Sequence, residues 1–263
     1  MPRFLLFRLH GPLAAWGDIA VGEVRPSTPH PSRSAVLGLM AAALGIRRHE
    51  EERQAALADA CAFTVRVDAL GVPLRDYQTI QQADSVARLK HLRSRRDELA
   101  DRHNLYTTLS SRDYRCDGLY TCCLQWRDGQ TFSANEVAAA LRRPRLSLYL
   151  GRKSCPPALP LAPQVIEAEW FEQAMAQYDA QRTEAEQGFL AALPTSPYPR
   201  GRKVRATAHP VTREGAGRQD LYWEDAVATA LRPLHSTPRH DRPVHRARRQ
   251  FGPRTEHYAP SGA

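Results

Sequence analysis

The sequence predicts an α+β fold, and three observations predict it. Apolar runs with strand periodicity alternate with capped helical segments from residue 3 to about residue 150. The longest apolar stretch, residues 35–46, is too short to span a bilayer. A hydrophobic content of 42% beside 25% charged residues is the balance of a folded, soluble chain. At 263 residues there is room for one large domain or two small ones.

Residues 3–10 read as the first strand. Phe4, Leu5, Leu6 and Phe7 are apolar at successive positions, which implies burial on both faces and a central place in a sheet. Gly11-Pro12 ends it. A loop to about residue 32 carries Trp16, Arg25 and a stiff proline run (Pro26, Pro29, Pro31) that cannot be helical. Trp16 fits two roles, an exposed ring that stacks on a base or a lid over the core edge. Ser34 is then expected to cap a helix over residues 35–44, stopped by Gly45. That order would place free N–H groups and a positive dipole beside Arg33 and Ser34, a site for an anion. A second helix is expected over about residues 49–61, and Phe63-Thr64-Val65-Arg66-Val67 alternates as a strand.

Residues 74–115 are poor in apolar periodicity. They hold nine Arg/Lys against six Asp/Glu, with Arg75-Asp76-Tyr77 at one end and Arg112-Asp113-Tyr114 at the other. A long polar insertion of this kind is functional or disordered, and its matched ends suggest a projecting β-arm; a merely solvated flap is the competing reading. Residues 119–126 form another strand. Ser133 and Glu136 make a capping box for a helix through residue 141.

Residues 142–156 hold five basic side chains and no acidic one. Leu146, Leu148 and Leu150 alternate as in a strand, which would turn Ser147 and Tyr149 to the other face. Gly151 permits a tight turn that brings backbone N–H groups close to an anion. Arg145, Arg152 and Lys153 beside an aromatic ring suit a polyanion whose bases stack; an exposed turn with solvated charges is the alternative. This is no Walker loop, because Arg152 stands where that motif needs a second glycine. The order β-α-β…β-α-β is that of a ferredoxin-like or RRM-like sheet, a fold that commonly presents its sheet face and loops to RNA.

Beyond Pro156 the chain is punctuated by prolines. Residues 167–178 read as a helix, residues 181–193 as a further helical candidate, and residues 194–199 as a linker. Residues 200–218 carry six basic side chains against one acidic. The organisation expected is a first domain over 1–160 and a basic C-terminal region over 161–263, partly packed on it.

The formal charge of +9 favours an anionic partner, nucleic acid before membrane. Five cysteines form no CxxC pair and read as reduced, packed thiols. With Phe4–Phe7 too short for a signal peptide, the expected location is the cytoplasm. His235, His240 and His245 recur at five-residue spacing, but prolines interrupt the segment and nothing completes a metal shell, so neither metal nor cofactor is expected. A metal-free ribonuclease needs only a base, an acid and cationic stabilisation. His10, Tyr149 and Lys153 are the candidates for those roles.

Several short motifs in order resemble one family. They are LHGPLAAWG (residues 9–17), Arg25-Pro26, PSRS (31–34) leading into LGL (37–39), LRDY (74–77), YLGRKSCP (149–156) and RRQF (248–251). Together they resemble the CasD family, the "Cas five" subunits of type I-E CRISPR Cascade and members of the RAMP superfamily. The resemblance implies a ferredoxin-like RAMP domain with a projecting thumb, about residues 77–115. It implies a non-catalytic role in antiviral defence, gripping the 5′ handle of the CRISPR RNA and capping the backbone at its foot. CasC and CasA would be neighbours, with target DNA met through the complex. Relatives in type I-C cut repeat RNA, which makes an endoribonuclease the runner-up. Residue and family readings converge on Trp16, Arg25, Arg33 and Ser34 for one wall, Arg75, Tyr77 and Arg112 at the feet of the thumb, and Arg145, Tyr149, Gly151, Arg152, Lys153 and Ser154 for the other wall. Phosphate contacts fall to the cations, stacking to Trp16 and Tyr149, and close backbone approach to Gly151.

Overall fold

The computed structural model describes residues 1–18, 20, 22–83, 94–100, 103, 105–184, 187–188, 219–245, 248 and 250–261. In chain order it contains β1 (Arg3–His10), β2 (Leu13–Ala14), β3 (Val24–Arg25), α1 (Arg33–Leu44), α2 (Glu51–Asp59), β4 (Cys61–Ala69), β5 (Val72–Ala83), α3 (Arg95–Glu98), β6 (Leu105–Cys116) and β7 (Leu119–Trp126). There follow α4 (Ala134–Arg142), β8 (Gln164–Glu167), α5 (Phe171–Ala180), β9 (Asp220–Glu224), β10 (His235–His245) and β11 (Gln250–Pro260). The architecture is mixed α/β with antiparallel sheets. Seven strands form one sheet in the order β10-β11-β9-β4-β7-β1-β8. The helical candidate over 181–193 falls largely outside the described residues, and the 194–199 linker and the basic segment 200–218 fall wholly outside them.

β1 is sandwiched between β7 and β8, and its side chains are buried on both faces. Leu5, Phe7 and Leu9 join a core with Met40 of α1 and Val137 of α4. Phe4 and Leu6 enter a separate core with Phe171, Met175 and Tyr178 of α5. Each fully buried Phe contributes about 1.5–3 kcal/mol, so the two layers of helix are held by comparable forces. This double burial corrects one expectation: the sheet offers no face to RNA here, because α5 covers the side opposite α1 and α4.

α5 is also tied electrostatically. β4 buries Arg66 on that side, where it bonds Asp68 at 2.7 Å and Asp179 of α5 at 2.7 and 2.9 Å. Burial alone would raise the Asp68 pKa, and it does, although the Arg66 charge works against the rise.

Several boundaries differ from expectation for local reasons. Ser32, not Ser34, caps α1, accepting the Ala35 N–H at 3.2 Å, and Gly45 ends the helix at φ 75° as expected. Ser133 caps α4 through the Glu136 N–H at 3.1 Å. Residues 144–156 are not a strand. Their backbone leaves to serve other elements: Arg145 and Leu146 donate to the terminal carbonyls of α1, and Leu150 exchanges bonds with Ala15 and Cys155. Residues 164–167 pair with β1 as β8, and the helix begins only at Phe171. β10 escaped notice because Pro238 and Pro243 read as breaks; it lies on the sheet edge, where a missing N–H is tolerated.

The C-terminal hairpin β10–β11 is clamped to the body by a buried charge cluster. Arg254 bonds Asp241 at 2.6 Å and Glu256 at 2.6 Å, and the imidazole of His30 lies 3.4 Å from Glu256. Burial opposes ionisation of Glu256, but the His30 hydrogen bond and the surrounding cations prevail and hold its pKa at about 2.

Two outcomes are expected from these charges. Arg66→Ala, which leaves Asp68 buried without its guanidinium, should lower stability by about 3–5 kcal/mol in urea unfolding. Because the Glu256 pKa is depressed, its contribution is complete above about pH 4.5 and is lost as pH falls toward 2. Unfolding measured between those pH values should show a steeper acid loss for the parent than for Glu256→Gln.

Candidate nucleic-acid interface

β5 and β6 pair along their length, from Val72–Cys116 to Ala83–Leu105, as an antiparallel ribbon in the second sheet. β2 and β3 join the foot of β6, which brings the loop after β1 against the ribbon. A further loop, residues 144–156, is laced to the first. Ala15 donates to Leu150 at 3.0 Å, and Arg152 donates to the Arg25 carbonyl at 3.2 Å. At Gly151, φ is 85° and an added Cβ would sit 1.8 Å from the Ala15 carbonyl oxygen. Only glycine permits that approach.

The two loops and α1 enclose an open cleft of about 390 Å³. One helical stripe of α1 (Ser34, Ala35, Gly38, Ala42) forms its floor, and small side chains there keep it open. Arg25 stands on the first wall. Tyr149, Gly151 and Arg152 make the second, and Phe251 at the start of β11 closes the rim. Asp18 is the one acidic side chain among the described lining residues. The Arg152 guanidinium lies 4.7 Å over the Tyr114 ring, a cation–π contact that holds it against β6. Nearby, Arg75 bonds Asp113 in bidentate fashion at 2.8 and 3.1 Å. That hydrogen-bonded guanidinium holds the Asp113 carboxyl below its ordinary range, against a small opposing effect of burial.

Five of the thirteen residues singled out from sequence thus share the cleft: Arg25, Ser34, Tyr149, Gly151 and Arg152. Trp16 does not. Its ring is 1% exposed and packs edge-on to Tyr120 at 5.5 Å, so it anchors the loop from below and cannot stack on a base. Arg33 is also internal, donating to the carbonyls of Ala58 at 2.6 Å and Cys61 at 3.2 Å and pairing with Glu224. It ties α1 to β4 and β9 and is not placed to meet a phosphate. The helix N-terminus between them is already served, since the Arg33 N–H donates to Asp241 at 2.8 Å. The expected anion site at α1 is therefore filled by the protein's own carboxylate.

Tyr77 is exposed on β5 and Arg112 is half-buried on β6, opposite both Asp76 and Arg25. Arg145 packs against Gly45 at the far end of α1, in a separate hollow with Arg53, Glu136 and Arg143. Lys153 and Ser154 are exposed on the turn after Arg152. Gly151 does require close backbone approach, but the approach is to Ala15. Of the spaced histidines, His235 packs on Tyr258 and His245 pairs with Glu51. Phe251 and Asp241 were not among the residues chosen, although Phe251 ends the RRQF motif.

Comparison with known proteins identifies the family. The family described as CRISPR-associated protein (Cas_Cas5) matches residues 4–256. The chain belongs to the Cas5 family. A Cas5 relative, the CRISPR system Cascade subunit CasD of Escherichia coli (strain K12), is 32% identical over 187 residues, covering 68% of this chain and 78% of that one. A chain of a CRISPR RNA-guided surveillance complex superposes with a TM-score of 0.61 at 26% identity, covering 98% of this chain and 89% of its own. The crystal structure of a Cas protein shares the fold at a TM-score of 0.54 and 22% identity, over 98% and 94% of the two chains. Among the described residues, no helix is long and apolar enough to cross a membrane.

Gly151→Ala tests the lacing of the two loops. Its Cβ meets backbone, not a yielding side-chain end, and its φ is unfavourable. We expect a loss of about 1–3 kcal/mol in urea unfolding.

Proposed function

We propose that this chain is the Cas5 subunit of a CRISPR Cascade complex and grips the 5′ handle of the guide RNA in the cleft. The observation that carries the reading is the cleft itself: Arg25, Arg152 and a partly exposed Tyr149 line it above a floor of small residues. Cations supply phosphate affinity, and an exposed ring supplies base stacking. Membership of the Cas5 family and likeness to a Cascade subunit support the assignment.

The strand order β4-β7-β1-β8, with helices following β1 and β7, supports a ferredoxin-like RAMP core, and the β5–β6 ribbon is read as its thumb. On this reading the subunit caps the complex at its foot, next to CasC and CasA, in the cytoplasm, and meets target DNA only through the assembly. It holds RNA without cutting it. The ribonuclease alternative needs His10 beside Tyr149 and Lys153. His10 is 5% exposed on β1 with Nδ1 3.1 Å from the Gly118 carbonyl, and it is not part of the cleft lining.

Incubating the protein with labelled repeat RNA and EDTA, then running denaturing gels and filter binding, tests both readings. We expect intact RNA retained according to its handle sequence; a discrete product within the repeat would transfer the protein to the nucleases. Salt titration adds residue resolution. Removing one phosphate contact lowers the slope of log affinity against log salt by about 0.7 for a single strand. Arg25→Ala should show that decrease, whereas Arg33→Ala should lose stability and leave the slope of its folded fraction unchanged.

A further inference from the structure

We infer that Phe251 is a base-stacking residue of the RNA cleft, carried there by the C-terminal hairpin. The inference rests on the handle-gripping reading and names a contact that reading does not contain. Phe251 is the second residue of β11, opposite Pro243, and lines the cleft together with Tyr149. It is 44% exposed, close to the 40% of Tyr149, although every other phenylalanine described on a strand is buried. A large ring left in water at the rim of a cationic cleft is suited to the face of an unpaired base.

The hairpin is not loosely placed. Asp241 of β10 accepts the Arg33 N–H at the start of α1 at 2.8 Å, and Arg254 of β11 returns to Asp241 at 2.6 Å. Glu256 is 4% exposed against His30, which stacks on Tyr222 at 4.0 Å. These buried contacts fix β10 and β11 to the helix that floors the cleft, so the ring position follows from them. Val244 and Gly252 approach closely enough that a Cβ at Gly252 would lie 3.0 Å from Val244, so the two strands are packed tightly next to Phe251 in sequence. The ligand chemistry is a purine or pyrimidine of single-stranded RNA, held by stacking while Arg25 and Arg152 hold its backbone.

The test compares full-length protein carrying Phe251→Ala, Phe251→Leu or Phe251→Tyr, titrated with labelled single-stranded RNA of the cognate 5′-handle sequence. A matched set of oligonucleotides replaces one base at a time by an abasic site. Stacking of about 1–3 kcal/mol per base predicts that Ala and Leu weaken binding by roughly 5- to 150-fold, while Tyr restores it. For one abasic oligonucleotide the Phe251→Ala penalty should vanish, because the stacked base is already missing. A penalty that persists on every abasic oligonucleotide, or that Tyr does not rescue, would make Phe251 a packing residue and overturn the inference. Unchanged RNA affinity in Phe251→Ala, with Arg25→Ala still weakened, would overturn it too, and loss of co-purifying Cascade subunits would then assign the ring to a protein interface. If the parent protein binds no handle RNA, the cleft reading itself falls, and this inference with it.

Discussion

The structure depends on one constraint, the burial of β1 on both of its faces. Alternate side chains of a single strand serve two separate cores, Leu5, Phe7 and Leu9 below α1 and α4, Phe4 and Leu6 below α5. With no open face on this stretch of sheet, recognition has to be built where strands end and loops leave. The cleft is assembled there, from the loop after β1, the stripe of α1 and the loop that precedes β8. A charged residue at Leu6 would therefore disturb α5 and not the cleft.

A second dependence links the two ends of the chain. The carboxylate of Asp241 takes the place at α1 that a bound anion would otherwise occupy, and Arg254 compensates its charge. Such a buried network is stable only when complete, because each missing partner leaves a desolvated charge. The C-terminal strands are thus fastened to the helix that floors the cleft, and the sheet is continuous across residues far apart in sequence.

Much of this was legible in advance, for physical reasons that differ by element. The run of four apolar residues in β1 announced two-sided burial, and Ser133 with Glu136 announced α4, because both signals are local. The matched polar ends of residues 74–115 announced a paired ribbon, which β5 and β6 form. Leu146, Leu148 and Leu150 misled because only Leu150 and Leu148 pack on the core while Leu146 is exposed, and the backbone bonds here close α1 and hold Ala15. Trp16 and Arg33 misled because a loop tryptophan and an arginine beside a helix start look alike whether they point outward or inward. Only the positions of Tyr120, Ala58 and Glu224, all distant in sequence, decide between the two. β10 was hidden by prolines that an edge strand accommodates.

The five thiols show what the same packing means at the bench. Cys61, Cys122, Cys123 and Cys155 are buried, and burial pushes the Cys61 thiol up to about 12 and those of Cys122 and Cys123 upward as well. Cys116 alone is partly accessible, at the end of β6 where the ribbon meets the loop after β1. A maleimide dye would therefore attach first at the base of the ribbon, without any engineered cysteine, and its emission would report on whatever the ribbon touches.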